Sequence, residues 1–143
     1  MANITASLVN ELRQRTGVGM MDCKKALVEC DGDMDKAIDY LREKGQKLAA
    51  KRADRDASEG AVLAGVNADK TFAAVIMMNC ETDFVAKNED FVAFTKTVLD
   101  AALAAKAQTM QDVLALEIEG KSVETMIVEQ VAKIGEKITL SHY

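Results

Sequence analysis

Ala61-Val62-Leu63-Ala64-Gly65-Val66-Asn67-Ala68-Asp69-Lys70-Thr71-Phe72-Ala73-Ala74-Val75-Ile76-Met77-Met78 is the stretch that decides the fold class, because here the apolar pattern changes from helical to extended. Two runs rich in apolar residues flank Asn67-Ala68-Asp69-Lys70, a turn-forming composition in which Asn and Asp side chains can bond nearby backbone. The stretch is therefore expected to form an antiparallel hairpin. Its second run is apolar at nearly every position, which predicts a strand covered on both faces.

Working downstream, Asn88 is placed to cap a helix with Glu89 and Asp90 in its favourable first turn and Phe91, Phe94, Val98, Leu99, Ala102 and Leu103 along one stripe. That helix is expected to lie on the sheet. Thr109 and Asp112 form a capping pair for a short helix over residues 110–116, although the alternation in Leu116-Glu117-Ile118-Glu119 also suits extended chain. Ser122 caps a last helix with Val123, Met126, Ile127, Val131 and Ile134 facing inward, and Gly135 stops it. Lys137-Ile138-Thr139-Leu140 then reads as a strand, either a third member of the hairpin sheet or an edge awaiting a partner.

Upstream the period is helical throughout. Thr5 caps a first helix with Leu8, Val9 and Leu12 on its stripe and Ile4 stapling its start. Gly17 and Gly19 break the chain before a second helix over residues 20–30, with Met20, Cys23, Leu27 and Cys30 at helical spacing. Asp33 caps a third, in which Ala37, Ile38 and Leu41 face inward and Gly45 marks the stop. Three such helices cannot bury their stripes separately and should form one bundle. The expected fold is thus α+β: a three-helix unit with a basic linker over residues 1–55, then an α+β unit over residues 56–143 with a small antiparallel sheet and packed helices.

Composition narrows the chemistry. With 143 residues, 49% apolar and 29% charged, the chain can bury a core without disulfides or a structural metal. No apolar run reaches membrane-spanning length, and Met1-Ala2-Asn3-Ile4-Thr5 has neither the basic nor the apolar region of a signal peptide, so no membrane association and a cytoplasmic location are expected. Cys23, Cys30 and Cys80 form no C-x-x-C pair and read as reduced thiols; the only histidine is His142. No phosphate-cradling glycine motif occurs. No catalytic residues, metal or cofactor are therefore expected, and the function should be binding. Residues 59–143 hold 7 Lys and Arg against 13 Asp and Glu, an acidic surface that a phosphate backbone repels. The basic stretch over residues 44–55 reads as a solvated helix tail or linker rather than an RNA patch, so direct nucleic-acid binding is not expected.

Thr82-Asp83-Phe84-Val85 is the candidate site, at the connection between the second strand and the helix that follows. Phe72, Phe91 and Phe94 are accounted for by strand or helix stripes, whereas Phe84 is not. On residue type alone the ring is expected to fold back as a lid over the sheet, with Asp83 or Thr82 capping a helical turn. The alternative makes Phe84 an aromatic anchor for a partner's pocket, with Asp83 beside it. In the first unit, Met20 falls on the apolar stripe and is expected to fill the core, while Met21 lies off it and is the better contact residue.

The Thr16-Gly17-Val18-Gly19-Met20-Met21 loop, followed by residues 32–41, resembles the ubiquitin-associated type of three-helix domain, in which such a loop and the third helix form a docking surface. Residues 15–27, then Cys80-Glu81-Thr82-Asp83-Phe84-Val85-Ala86-Lys87-Asn88, then Val131-Ala132-Lys133-Ile134-Gly135-Glu136-Lys137-Ile138 resemble bacterial elongation factor Ts, in order and spacing. The resemblance implies a ubiquitin-associated-like head and the first half of an α+β core. It implies a guanine-nucleotide exchange factor for elongation factor Tu, and not an enzyme in the chemical sense. Thr82, Asp83, Phe84 and Val85 would then disturb the magnesium and nucleotide site of the GTPase domain, and Met20, Met21 and Lys24 would dock the head. Because the family continues into a second core half, partial exchange activity is expected, or self-association of two chains through the terminal strand. The competing expectation is an interaction module docking through the head alone.

Overall fold

A computed structural model describes residues 3–143. The chain divides into two compact units, one formed by Met1–Ala53 with Val128–Gly135 and the other by Asp54–Ile127 with Glu136–Tyr143.

The first unit is built on α1 (Ala6–Thr16), α2 (Met20–Glu29) and α3 (Met34–Lys51). Thr5 accepts the Leu8 N–H and Asp33 accepts the Lys36 N–H through their side chains, each cap stabilising its helix by about 1 kcal/mol. Gly17 at φ 69° and Gly32 at φ 81° close α1 and α2 in the left-handed region, where glycine carries no steric cost. Val9, Leu12, Val18, Cys23, Ala26, Leu27, Ala37 and Leu41 form the core, with Ile4 packed against it.

Two expectations fail in this unit. Gly45 does not stop α3, which runs on to Lys51, so most of the basic stretch is helix. A Cβ at Gly45 would lie 2.9 Å from the Ala132 Cβ, so the glycine serves a close approach of two helices, and its tolerance costs only about 1 kcal/mol of helix propensity. Met20, expected in the core, is 52% exposed. It occupies the first position of α2, and helical side chains lean toward the N-terminus, so its thioether projects past the layer that Cys23 and Leu27 fill.

In the second unit, β1 (Glu59–Val66) pairs antiparallel with β2 (Ala73–Cys80) in the register Glu59↔Cys80 to Val66↔Ala73. Asn67 organises the turn: its side-chain oxygen accepts the Thr71 and Phe72 N–H groups at 2.9 and 3.0 Å. The one-turn α4 (Asp83–Ala86) follows β2, and α5 (Glu89–Ala105) begins at Asn88, whose side chain accepts the Asp90 and Phe91 N–H groups. All six stripe residues of α5 are buried. A Cβ on Gly65 of β1 would lie 3.0 Å from Leu103 Cδ1, which shows how closely α5 lies on the hairpin.

The short α6 (Met110–Ala115) carries the expected Thr109 and Asp112 capping box. Beyond it, β3 (Glu117–Ile118) and β4 (Lys121–Ser122) form a miniature hairpin through Glu119 and Gly120, both at positive φ. Ser122 Oγ accepts the Thr125 N–H at the start of α7 (Val123–Ile134), which ends at Gly135 at φ 79°. The tail forms β5 (Thr139–His142), antiparallel to β2, so the sheet order is β1-β2-β5 and the third-strand alternative is the one adopted. The expectation of a strand covered on both faces holds only for the later part of β2. Val75 is exposed, as are Val62 and Val66 of β1, because α5 covers just one face of the hairpin. Among the described residues no helix is long and apolar enough to cross a membrane.

Candidate functional site

The candidate site begins where β2 leaves the sheet. Cys80 is buried, and its thiol donates to the Thr82 carbonyl oxygen at 3.2 Å. Burial, reinforced by the nearby Glu136 charge, pushes this thiol's pKa up to about 11, so it stays protonated as a donor and is a poor nucleophile. Cys23 is also buried, and Cys30 is intermediate; all three are free thiols. Among the described residues no group of three or more His, Cys, Asp or Glu side chains is placed to hold a metal.

Thr82 caps α4 with its hydroxyl, accepting the Val85 N–H at a long 3.5 Å. The helix is a single turn, with Ala86 N–H bonded to the Thr82 carbonyl and Lys87 N–H to that of Asp83. None of its residues is buried. Phe84 is 83% exposed, the most exposed of the large apolar side chains among the described residues. The lid expectation is thereby overturned: the one-turn helix starting at Thr82 carries the ring outward, and nothing covers it. An aromatic ring left in water on a short, capped turn forgoes on the order of 2 kcal/mol of burial.

Asp83 is exposed at the same tip, and Lys87 Nζ donates to its Oδ2 at 3.1 Å. This hydrogen bond, then the lysine charge, holds the Asp83 carboxyl below its ordinary value. The contact therefore contributes fully above the ordinary carboxylate range and is lost as pH falls through the depressed value. Lys87→Ala is expected to move the Asp83 titration, followed by its carboxyl-carbon NMR shift, upward toward the ordinary value; an unmoved titration would contradict this pairing.

A second strand of chemistry reaches the tip from residues far along the chain. Glu136 Oε1 accepts the Glu81 and Thr82 N–H groups at 3.0 Å each, and its Oε2 accepts the Thr82 hydroxyl at 2.7 Å. Glu81 returns the arrangement, its Oε1 accepting the Lys137 N–H at 2.7 Å while Arg55 Nε lies 3.3 Å from its Oε2. Lys137 Nζ donates to the Arg55 carbonyl at 3.1 Å. Sequence reasoning assigned no role to Glu81 or Glu136. The only signal was the block Gly135-Glu136-Lys137-Ile138, where a charged pair directly follows a helix-ending glycine.

On the head, Met20, Met21 and Lys24 are all exposed, with Met21 at 67%. Their spacing of three and four residues brings them to one face of α2. Val28, also exposed, extends that face by a further turn and was missed because a valine within a helix normally reads as core.

Residues 81–143 match the family model described as "Elongation factor TS". The protein named elongation factor Ts from Amoebophilus asiaticus is 56% identical over 140 residues, which cover 98% of this chain and 50% of that relative. Its namesake from Christiangramia forsetii is 54% identical over 143 residues, 100% of this chain and 52% of the relative. That from Rhodopirellula baltica is 54% identical over 142 residues, 99% of this chain and 43% of the relative. The chain spans about half the length of the curated relatives it matches.

Proposed function

We propose that the chain, as a member of the elongation factor Ts family, promotes GDP release from the translational GTPase elongation factor Tu. The observation that carries the reading is the outward Phe84 ring beside an ionised Asp83 at the end of a sheet. Mg²⁺ requires near-ideal octahedral coordination and bridges phosphate charge, so a small displacement of the groups supporting it weakens nucleotide retention strongly. An aromatic wedge with an adjoining carboxylate is suited to making that displacement. Docking of Met20, Met21 and Lys24 on the GTPase domain offsets its cost.

Linkage completes the mechanism. If the factor weakens nucleotide binding, nucleotide weakens factor binding by the same ratio, so fresh nucleotide releases the factor for another cycle. No covalent bond is made or broken, and exchange of this kind is not enzymatic chemistry. The work takes place with the translation apparatus in the cytoplasm.

Release of fluorescently labelled GDP from elongation factor Tu tests the proposal. The chain should accelerate release, and the Asp83→Ala/Phe84→Ala double variant should lose most of the acceleration while keeping the native circular-dichroism spectrum. Equal acceleration by the double variant would refute the wedge.

A further inference from the structure

The tip raises a physical question, because α4 has four residues and buries none of them. One helical turn by itself is unstable in water, since ordering the first turn fixes several dihedrals for a single hydrogen bond. Packing holds it only in part, since Val85 and Ala86 are half-buried while Asp83 and Phe84 are exposed. A wedge that must displace groups in a partner has to arrive ordered, otherwise the ordering cost is subtracted from the displacement.

We propose that Glu136 is a positioning residue for the Asp83–Phe84 wedge, its carboxylate pinning the start of α4 through the two consecutive N–H groups of Glu81 and Thr82 and the Thr82 hydroxyl. The proposal rests on the exchange reading above and names the part that makes the wedge rigid. Three donors converge on one carboxylate, and hydrogen bonds to an ionised acceptor are the strong ones. The bond from the Thr82 hydroxyl also orients that oxygen. Its proton is committed to Glu136 Oε2, leaving a lone pair for the Val85 N–H, so the cap of α4 points one way. Glu81 closes the ring by accepting the Lys137 N–H, with Arg55 against its other oxygen. Residues 81–82 and 136–137 thus hold each other's backbone through side chains more than fifty residues apart in sequence. Cys80, donating to the Thr82 carbonyl, fixes the same residue from the strand side.

Glu136 does not touch the partner in this scheme; it acts through Phe84. Four variants of the full chain separate that role from general stability: Glu136→Ala, Glu136→Gln, Phe84→Ala and the Glu136→Ala/Phe84→Ala pair. Two readouts are taken, amide hydrogen exchange by NMR and the rate of labelled GDP release as a function of chain concentration. In Glu136→Ala, protection of the Ala86 and Lys87 amides should fall about tenfold or more, while β2 amides such as Ile76 keep theirs. The saturated GDP-release rate should fall about tenfold, with a much smaller change in the half-saturating concentration. Glu136→Gln keeps an acceptor for the two amides, and the Thr82 hydroxyl can rotate to accept from its NH₂, so it should restore most of both readouts.

The paired variant should release GDP no more slowly than Phe84→Ala alone, because an unpinned tip without its ring has nothing left to lose. Unchanged protection at Ala86 and Lys87 in Glu136→Ala would overturn the proposal, as would fully additive losses in the paired variant. If the unaltered chain fails to accelerate GDP release, the exchange reading falls, and the amide readout alone then decides whether Glu136 holds the tip.

Discussion

Phe84→Ala is expected, on the proposed exchange function, to cut acceleration of GDP release by about thirtyfold or more, the effect of losing an aromatic anchor contributing on the order of 2 kcal/mol or above. The same substitution should leave the urea-unfolding midpoint within error. The ring is 83% exposed, so its removal takes almost no apolar surface from the core. Surface substitutions of this kind shift stability by no more than about 0.5 kcal/mol. The combination is diagnostic. A core residue loses activity and stability together, whereas a wedge loses activity alone. If Phe84→Ala released GDP at the unaltered rate, Asp83 and the rest of the interface would have to account for the whole effect, and the aromatic wedge would be refuted.

The opposite signature is expected one helix later. Phe91 is 1% exposed and sits in the first turn of α5. Phe91→Ala should destabilise the chain by about 3–5 kcal/mol, the transfer term plus the cavity left by a phenyl group among neighbours that relax only partly. For a domain of ordinary stability that is a third or more of the total. With a urea slope of about 1–3 kcal/mol/M, the unfolding midpoint should drop by on the order of 2 M. Thr95 strengthens the expectation: it is fully buried, and its hydroxyl is satisfied only by the Phe91 carbonyl one turn earlier, so slack in this turn of α5 exposes a polar group as well. A loss below about 1 kcal/mol would show that the site collapses around the missing ring and that α5 is not rigidly seated. Phe84 and Phe91 are seven residues apart, and the contrast between them is the sharpest test of which ring serves the fold and which serves a partner.

Much of the architecture was legible because its causes are local. Thr5, Asp33, Asn88 and the Thr109–Asp112 pair each cap a helix by bonding backbone within three residues of themselves, so side-chain type and position suffice to place the helix start. The stripe of α5 and the Asn67 turn of the hairpin are likewise encoded over one or two turns of chain. The family blocks around Met20 and Phe84 were visible for the same reason, as contiguous residues in order.

What tertiary structure alone decided depends on residues that meet from far apart. Gly45 looks like a helix stop until Ala132 is seen 2.9 Å from where its Cβ would be, since a glycine that ends a helix and one that admits a neighbour look identical in sequence. Met20 shares the spacing of the buried stripe, yet its place at the first position of α2 leaves it in solvent, because periodicity gives a side chain's angle about the helix axis but not whether a neighbour reaches that level. Val75 reads as covered and is exposed, for sheet faces are buried only where another element lies over them. The outward direction of Phe84 belongs to this second class. A single turn carries too little pattern of its own to be oriented, and the carboxylate that meets it, Glu136, arrives from the far end of α7, beyond the reach of any rule that considers only near neighbours in the chain.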